Sequence, residues 1–293
     1  GKYIAVRKSS KWAKGIIESR PKKLAEALKK YKINLQQMSG FLNTVDFLNS
    51  LSEKEIENLF DNLKEKYGRD IFGQGYIFRL VEDEDIADVD SLSDDEKENG
   101  IDSSKKFYVP YDKGDKDGNR WYLETPFAIA WTKENVGFLK TNSGNKGEGM
   151  PVVRNPQYYF KEGFCYSDIN TTFLKCRVKL KTINDVKSMS LYSLTNKVPA
   201  YFIVCLINST FVSFYVDDFV NNTQTFQIND ARQLPIFIPD ENTLKQFKNL
   251  FDSAIDIKKA NLNNELSNID SEKKLSEIQE ELDLMVNTLY QLI

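Results

Sequence analysis

With 293 residues, 41% of them hydrophobic, the chain has room for one large domain or two small ones around a true core. The lack of any histidine removes histidine general bases, Ser/His and Cys/His nucleophile pairs and imidazole metal ligands. The net charge of −3 is segregated: residues 1–81 carry 16 basic and 9 acidic side chains (+7), 82–100 carry 1 and 10 (−9), 101–200 carry 16 and 10 (+6), 201–240 carry 1 and 4 (−3), and 241–293 carry 6 and 10 (−4). Polyanion binding depends on local potential rather than on the total, so the two basic blocks keep nucleic acid open as a partner. Cys165, Cys176 and Cys205 form neither a disulfide framework nor a C-x-x-C zinc pair and are read as buried thiols. No run approaches the roughly 18 apolar residues of a membrane span, and Gly1-Lys2-Tyr3-Ile4 does not open a signal peptide. A cytoplasmic protein with no membrane partner is expected.

In chain order, Tyr3-Ile4-Ala5-Val6 is a short apolar start, followed by Arg7, Lys8, Lys11 and Lys14. No motif heads the chain, as expected of a piece of a longer protein. Arg20-Pro21 is predicted to open a helix with Leu24, Leu28 and Tyr31 on one face. Ser52-x-x-Glu55 is a capping box, and Ile56, Leu59, Phe60, Leu63 and Tyr67 continue at helical spacing to Gly68. Tyr76–Val81 reads as a strand. The acidic run Glu82–Glu98 reads as a solvated, mobile loop, because like charges repel and extend.

Beyond it the period becomes two. Lys106–Tyr111 and Arg120–Leu123 flank a segment whose Asp-Gly step predicts a hairpin, and Phe127–Trp131 follows as a third strand. More short strands are predicted near 152–154, 158–160, 164–166 and 172–178. Pro199 begins an apolar helix through Phe202, Cys205 and Leu206, and Asn208 or Ser209 caps a second with Phe211, Phe214, Tyr215 and Phe219. After a polar loop, Asn229 or Asp230 caps one turn and Leu234–Pro239 returns to the sheet. Asp240 caps a helix bearing Leu244, Phe247, Phe251 and Ala254. Leu275, Ile278, Leu282, Met285, Leu289 and Leu292 then form a strict 3-4 stripe that needs another helix, the favoured partner being the one over 241–262. The fold class is α+β: a helical connector over 1–75, a mixed, mostly antiparallel β-rich domain over 76–239 with its acidic loop at 82–100, and an antiparallel helix pair over 240–293.

Chemistry is sparse. Asn155-Pro156-Gln157-Tyr158 is one residue from the N-P-P-Y motif of amino-methyltransferases, but no glycine-rich S-adenosylmethionine loop precedes it, and a structural reading is preferred. Pro239-Asp240 and Glu272-Lys273-Lys274 are the only approach to a Mg²⁺-dependent nuclease site, and both fall at helix starts. The glycine-rich segment 141–149 matches no phosphate-binding loop. No catalytic, cofactor-binding or metal residue is therefore assigned. A binding surface remains: Lys113, Lys116 and Arg120 at the hairpin turn; Lys140, Asn142, Ser143, Asn145 and Lys146 at the glycine-rich loop; Arg154; and the polar loop Asn221, Asn222, Thr223, Gln224, Thr225 and Gln227. Arginine and lysine read guanine or phosphate, and asparagine and glutamine read adenine.

Four groups of residues then carry a resemblance. Leu206-Ile207-Asn208-Ser209 with Tyr215, followed by Asn221-Asn222-Thr223-Gln224-Thr225-Phe226-Gln227-Ile228-Asn229-Asp230-Ala231-Arg232-Gln233-Leu234-Pro235-Ile236 and Ile238-Pro239, resembles the closing half of target recognition domains in type I specificity subunits and type IIG restriction-modification methyltransferases. Pro110-Tyr111-Asp112-Lys113-Gly114 with Arg120-Trp121-Tyr122, and Phe160–Ser167, are similar to the type IIG side. So is Glu281-Leu282-Asp283 with Val286 and Leu289-Tyr290. The likeness covers roughly residues 105–293, with 1–100 resembling the connector to the methyltransferase core. It implies a specificity module for double-stranded DNA, whose adenine-methylating and cleaving core, in the same or a partner polypeptide, uses S-adenosylmethionine and Mg²⁺. No cofactor is implied for this chain, and the chain itself is implied to be non-catalytic. It also implies that the 112–120 and 141–149 loops approach base edges and that the Asn221–Gln227 loop lies near the DNA backbone. The alternatives are a complete enzyme with an unfamiliar site, and a helical interaction subunit of a multisubunit restriction system docking through the Leu275–Leu292 stripe.

Overall fold

The structure, a computed structural model, describes residues 4–33, 43–68, 71–72, 79–115, 118–146, 152–166, 173–185, 188, 190–193, 195, 197–223 and 226–292. The chain divides into two units. One is Gly1–Tyr111 with Thr125–Val153, the other Asp112–Glu124 with Arg154–Ile293.

In the first unit, β1 (Ile4–Arg7) is followed by α1 (Lys11–Lys30), capped by Ser10, whose hydroxyl accepts from the Ala13 N–H at 3.2 Å. Pro21 lies inside α1 rather than at its start, since the helix already begins at the Ser10 cap, and Arg20, just before the proline, is buried against α3 (Glu53–Tyr67). The Arg20 guanidinium lies 3.4 Å from Glu57 and 5.7 Å from the Phe60 ring centre. The Ser52 capping box and the Gly68 stop are as predicted, and α2 (Thr44–Asn49) is a short helix that the periodicity did not show. Leu24, Ala27 and Leu28 of α1 meet Phe47, Leu48, Ile56, Phe60 and Leu63 in a helical core.

The acidic run is folded, contrary to the expected mobile loop. It forms two 3-10 turns, Asp83–Asp85 and Val89–Ser91, and then α4 (Asp94–Asn99), which has its own Ser93/Glu96 capping box. Counter-ions come from the basic blocks: Arg7 to Asp83 at 2.6 Å, Lys8 to Glu82 at 3.1 Å and Lys105 to Glu96 at 2.7 Å. β1 pairs in parallel with β2 (Arg79–Val81); the remainder of the strand predicted over 76–81 lies outside the described residues. The hairpin also differs from expectation. β3 (Tyr108–Asp112) pairs antiparallel not with 120–123 but with β4 (Phe127–Ala130), which also pairs with β1.

α5 (Lys133–Asn142) follows, capped by Thr132. Gly100 ends α4 at φ +97°, and a Cβ there would lie 2.7 Å from the Thr132 and Lys133 backbone. Gly100→Ala is expected to destabilise the protein by roughly 2 kcal/mol or more in urea unfolding. Gly144→Ala, also at positive φ but in open space, should cost clearly less.

In the second unit, β5 (Gly163–Tyr166) lies between β6 (Cys176–Lys179) and, beyond the short β7 (Ile183–Asn184), β8 (Ser190–Leu191), antiparallel to both. Gly163 is required here, since a Cβ would fall 2.3 Å from the Leu191 carbonyl oxygen. The segments expected as strands near 152–154 and 158–160 are irregular, with Asn155 left-handed before a 3-10 turn, Pro156–Tyr158.

α6 (Ala200–Asn208) is apolar all round and buried from Phe202 to Asn208 between this sheet and α9 (Glu241–Leu262). No helix among the described residues is by itself long and apolar enough to cross a membrane. Ser209 caps α7 (Thr210–Tyr215), which widens into a π-helical turn, Val216–Val220, and α8 (Ile228–Ala231) is capped by Gln227. Leu234–Pro239 is not a strand: two of its six residues are prolines without an N–H, and its Pro235 carbonyl accepts from the Tyr290 hydroxyl. α9 and α10 (Asn268–Leu289) pack together as predicted, burying Phe247, Phe251 and Ala254 with Ile278, Leu282 and Val286.

Candidate nucleic-acid interface

Alternation along β6 sorts its side chains. Cys176 and Val178 enter the apolar core, while Arg177 and Lys179, on the opposite face, are buried with the loop that follows β3. Arg177 Nη2 lies 3.3 Å from Asp112 Oδ2 and its Nε 4.0 Å from Asp115; Lys179 Nζ lies 3.5 Å from Asp112 and contacts the Thr182 hydroxyl. Burial alone pushes the Asp112 carboxyl up, but Arg177, Lys179 and the Gly114 N–H together hold it below its ordinary value. Burial draws Lys179 down. The same carboxylates shape the loop: Asp112 accepts from the Gly114 N–H at 2.8 Å, and Asp115 from the Gly118 and Asn119 N–H groups at 3.2 and 2.5 Å. Asp112 and Asp115 thus each gather backbone N–H groups of this loop, and both lie against the buried Arg177.

A second network closes over Cys176. The Asn208 side chain, 1% exposed, accepts from the Cys176 N–H at 2.8 Å and donates to its carbonyl at 2.9 Å. Trp121 adds a one-residue bridge, donating to the Cys176 carbonyl at 2.9 Å and accepting from the Val178 N–H at 3.0 Å. Arg120 Nε donates to Asn208 Oδ1 at 3.2 Å, and its Nη2 donates to the Asn208 carbonyl and to Gln279 Oε1, the latter at 2.6 Å. Gln279 reaches Asp283 at 3.0 Å, and Asp283 accepts from both the N–H and the hydroxyl of Thr210 at 2.7 Å, at the head of α7.

The candidate residues fall into different classes. Arg120 is a frame residue: burial pulls its guanidinium below its ordinary value, with Asp283 opposing, and its donors are used within the unit. Lys113 sits in the turn between Asp112 and Gly114, half-buried. In the first unit, Lys140 is exposed at the end of α5 with its ammonium 2.9 Å from Asn99. Asn142 and Asn145 bond to each other and to the end of α5, and Ser143 bonds the Val153 backbone. Lys146 is exposed, as is Arg154 in the second unit.

In the polar loop after the π turn, Asn221, Thr223 and Gln227 bond within the loop or to Asp230. Asn221 donates to Asp230 at 2.9 Å and accepts from the Thr223 N–H and hydroxyl, while the Gln227 N–H bonds Asp230 at 2.8 Å and Asn222 is exposed. Lys116, Gln224 and Thr225 lie outside the described residues. Tyr158 of the N-P-P-Y-like segment stacks on Tyr192 at 4.8 Å and 11°.

The three cysteines are buried and free, as read from the sequence, and burial raises Cys165 to about 12 and lifts Cys176 and Cys205 well above the ordinary thiol value. Among the described residues no three Cys, Asp or Glu side chains are grouped to hold a metal ion. Sequence reasoning missed Arg177, Lys179 and Gln279, and named Asp283 and Asn208 only within the resemblance motifs, Asn208 also as a helix cap. The one available signal was the polar alternation in Cys-Arg-Val-Lys. No family model matches the chain, and no curated protein matches it.

Proposed function

We propose that the chain is a sequence-specific duplex DNA recognition module of a restriction-modification methyltransferase, directing an S-adenosylmethionine-dependent adenine-methylating and cleaving core outside this chain. One observation carries the reading. The residues that bear the resemblance, although far apart in sequence, converge on one frame: Asp112 and Gly114 at the ion cluster, Arg120 and Trp121 on Asn208 and Cys176, Gly163 under β8, Asp283 at the head of α7 and Tyr290 on Pro235. The likeness is therefore one of a coherent scaffold rather than of scattered letters. The alternative, docking through the Leu275–Leu292 stripe, is less favoured, because Ile278 and Leu282 are buried and Leu275, Met285 and Leu289 half-buried in the core shared with α9.

Phosphate and base contacts are assigned to Lys113, Lys140, Lys146 and Arg154. Arg120 is left out because its donors are engaged. The Asn221–Gln227 loop is left out because Asp217, Asp218 and Asp230 beside it would repel phosphate. Titrating a random-sequence duplex at several salt concentrations tests the reading. Replacing all four cations by alanine is expected to reduce the slope of log K against log[salt] by about 3–4 and leave the thermal melt unchanged. An unchanged slope would overturn the contact set. Methyl transfer by this chain alone would overturn its non-catalytic role.

A further inference from the structure

A connected run of aromatic rings crosses the surface of the second unit where the π-helical turn ends. Phe219, 77% exposed, lies 5.5 Å from the Tyr215 ring, Tyr215 lies 6.2 Å from Phe211, and Phe211 lies 4.7 Å from Tyr290. The Tyr290 hydroxyl holds the Pro235 carbonyl and accepts from the Phe237 N–H at 3.2 Å, and there Ile236, Phe237 and Ile238 are 40, 57 and 49% exposed. Single exposed apolar side chains are ordinary, but a linked set marks a surface that another molecule covers. The π turn that presents Phe219 is closed by the Asn221 N–H on the Val216 carbonyl at 2.8 Å, a rare geometry that is frequent at functional sites.

Charge selects the occupant. Residues 211–241 hold Asp217, Asp218, Asp230, Asp240 and Glu241 against Arg232 alone. A second copy of the same face would bring like charges together, and DNA or an anionic lipid surface would be repelled. An apolar stripe flanked by lysine or arginine satisfies both the rings and the carboxylates. We propose that this ridge is a protein-docking surface that receives a basic amphipathic helix of a partner. It stands apart from the DNA reading, since none of the four cations assigned to DNA is among its residues.

The test uses the full chain and a designed, fluorescein-labelled helix with leucine on one face and lysine along its flanks, alongside the same helix with glutamate in place of lysine. The lysine helix is expected to bind at least about ten-fold more tightly than the glutamate helix. Phe219→Ser and Phe237→Ser, both exposed and each checked for an unchanged melt, should weaken it about ten-fold. Asp217→Asn with Asp218→Asn should narrow the preference between the two helices. Random-duplex binding should be unaffected by all of these. Absence of binding, equal binding of both helices, or insensitivity to Phe219→Ser overturns the proposal. So does a concentration-dependent dimer, duplex DNA binding or anionic-vesicle binding that Phe219→Ser abolishes, each assigning the ridge to that partner instead.

Discussion

Asn208→Leu is expected to lower the stability of the protein by about 3–5 kcal/mol, the largest effect of any single uncharged substitution considered. Leucine is close to asparagine in volume, so the cost is polar rather than a cavity. The change leaves the buried Cys176 N–H without its acceptor and removes the oxygen that receives Arg120 Nε. An orphaned buried donor costs about 1–3 kcal/mol, and more where the donor is charged. Urea unfolding should show a lowered midpoint at unchanged slope. Asn208→Asp keeps the acceptor and its Arg120 partner but sets a buried carboxylate oxygen against the Cys176 carbonyl in place of a donor, so it should also destabilise, by about 1–3 kcal/mol. If the leucine variant unfolds with the parent protein, the network is not what holds α6, α10 and β6 together.

Arg177→Met is expected to cost a similar amount, about 3–5 kcal/mol, by a different route. It strips the buried Asp112 and Asp115 carboxylates of their shared cation and leaves Lys179 as the cation beside Asp112. The same cluster sets an acid limit. Asp112 titrates in the folded protein below its ordinary value, so its contribution is complete above about pH 4, the unfolded carboxyl value. That contribution is lost as pH falls through the lower folded value. Asp112→Asn should therefore be less stable than the parent at neutral pH and should lose part of the parent's decline at acid pH. Chemical denaturation at neutral pH and at pH 3 distinguishes the two. Parallel pH curves for parent and variant would show that Asp112 is not the titrating anchor.

What could be read from the sequence was what neighbouring residues decide. The Ser52/Glu55 box, the stripe on α10 from Leu275 to Leu289 and the apolar α6 are local patterns, and each formed, although the last stripe position, Leu292, lies beyond the helix and is exposed. What could not be read depends on partners far along the chain. Glu82–Glu98 looks like a self-repelling loop until Arg7, Lys8 and Lys105 are beside it. Arg120-Trp121 looks like the return strand of a hairpin because the tryptophan's true neighbour, Arg177, is 56 positions away. Pro21 looks like a helix start, although the true start is the Ser10 cap upstream, and the burial of Arg20 on Phe60 is set by residues far along the chain. Of the candidate DNA residues, the sequence picked out the exposed cations Lys140, Lys146 and Arg154. It could not separate them from Arg120, whose charge is used internally.

The pairing of Asn208 and Trp121 with β6 has a further effect, on solubility. β6 is an edge strand of its three-stranded sheet, and such a strand exposes a row of backbone groups ready to pair with another chain. Here those at Cys176 and Val178 are already taken, by one amide side chain and one tryptophan backbone. The seal is made by two residues rather than by a fourth strand. A protein that lost it would aggregate by strand addition even where its core survived.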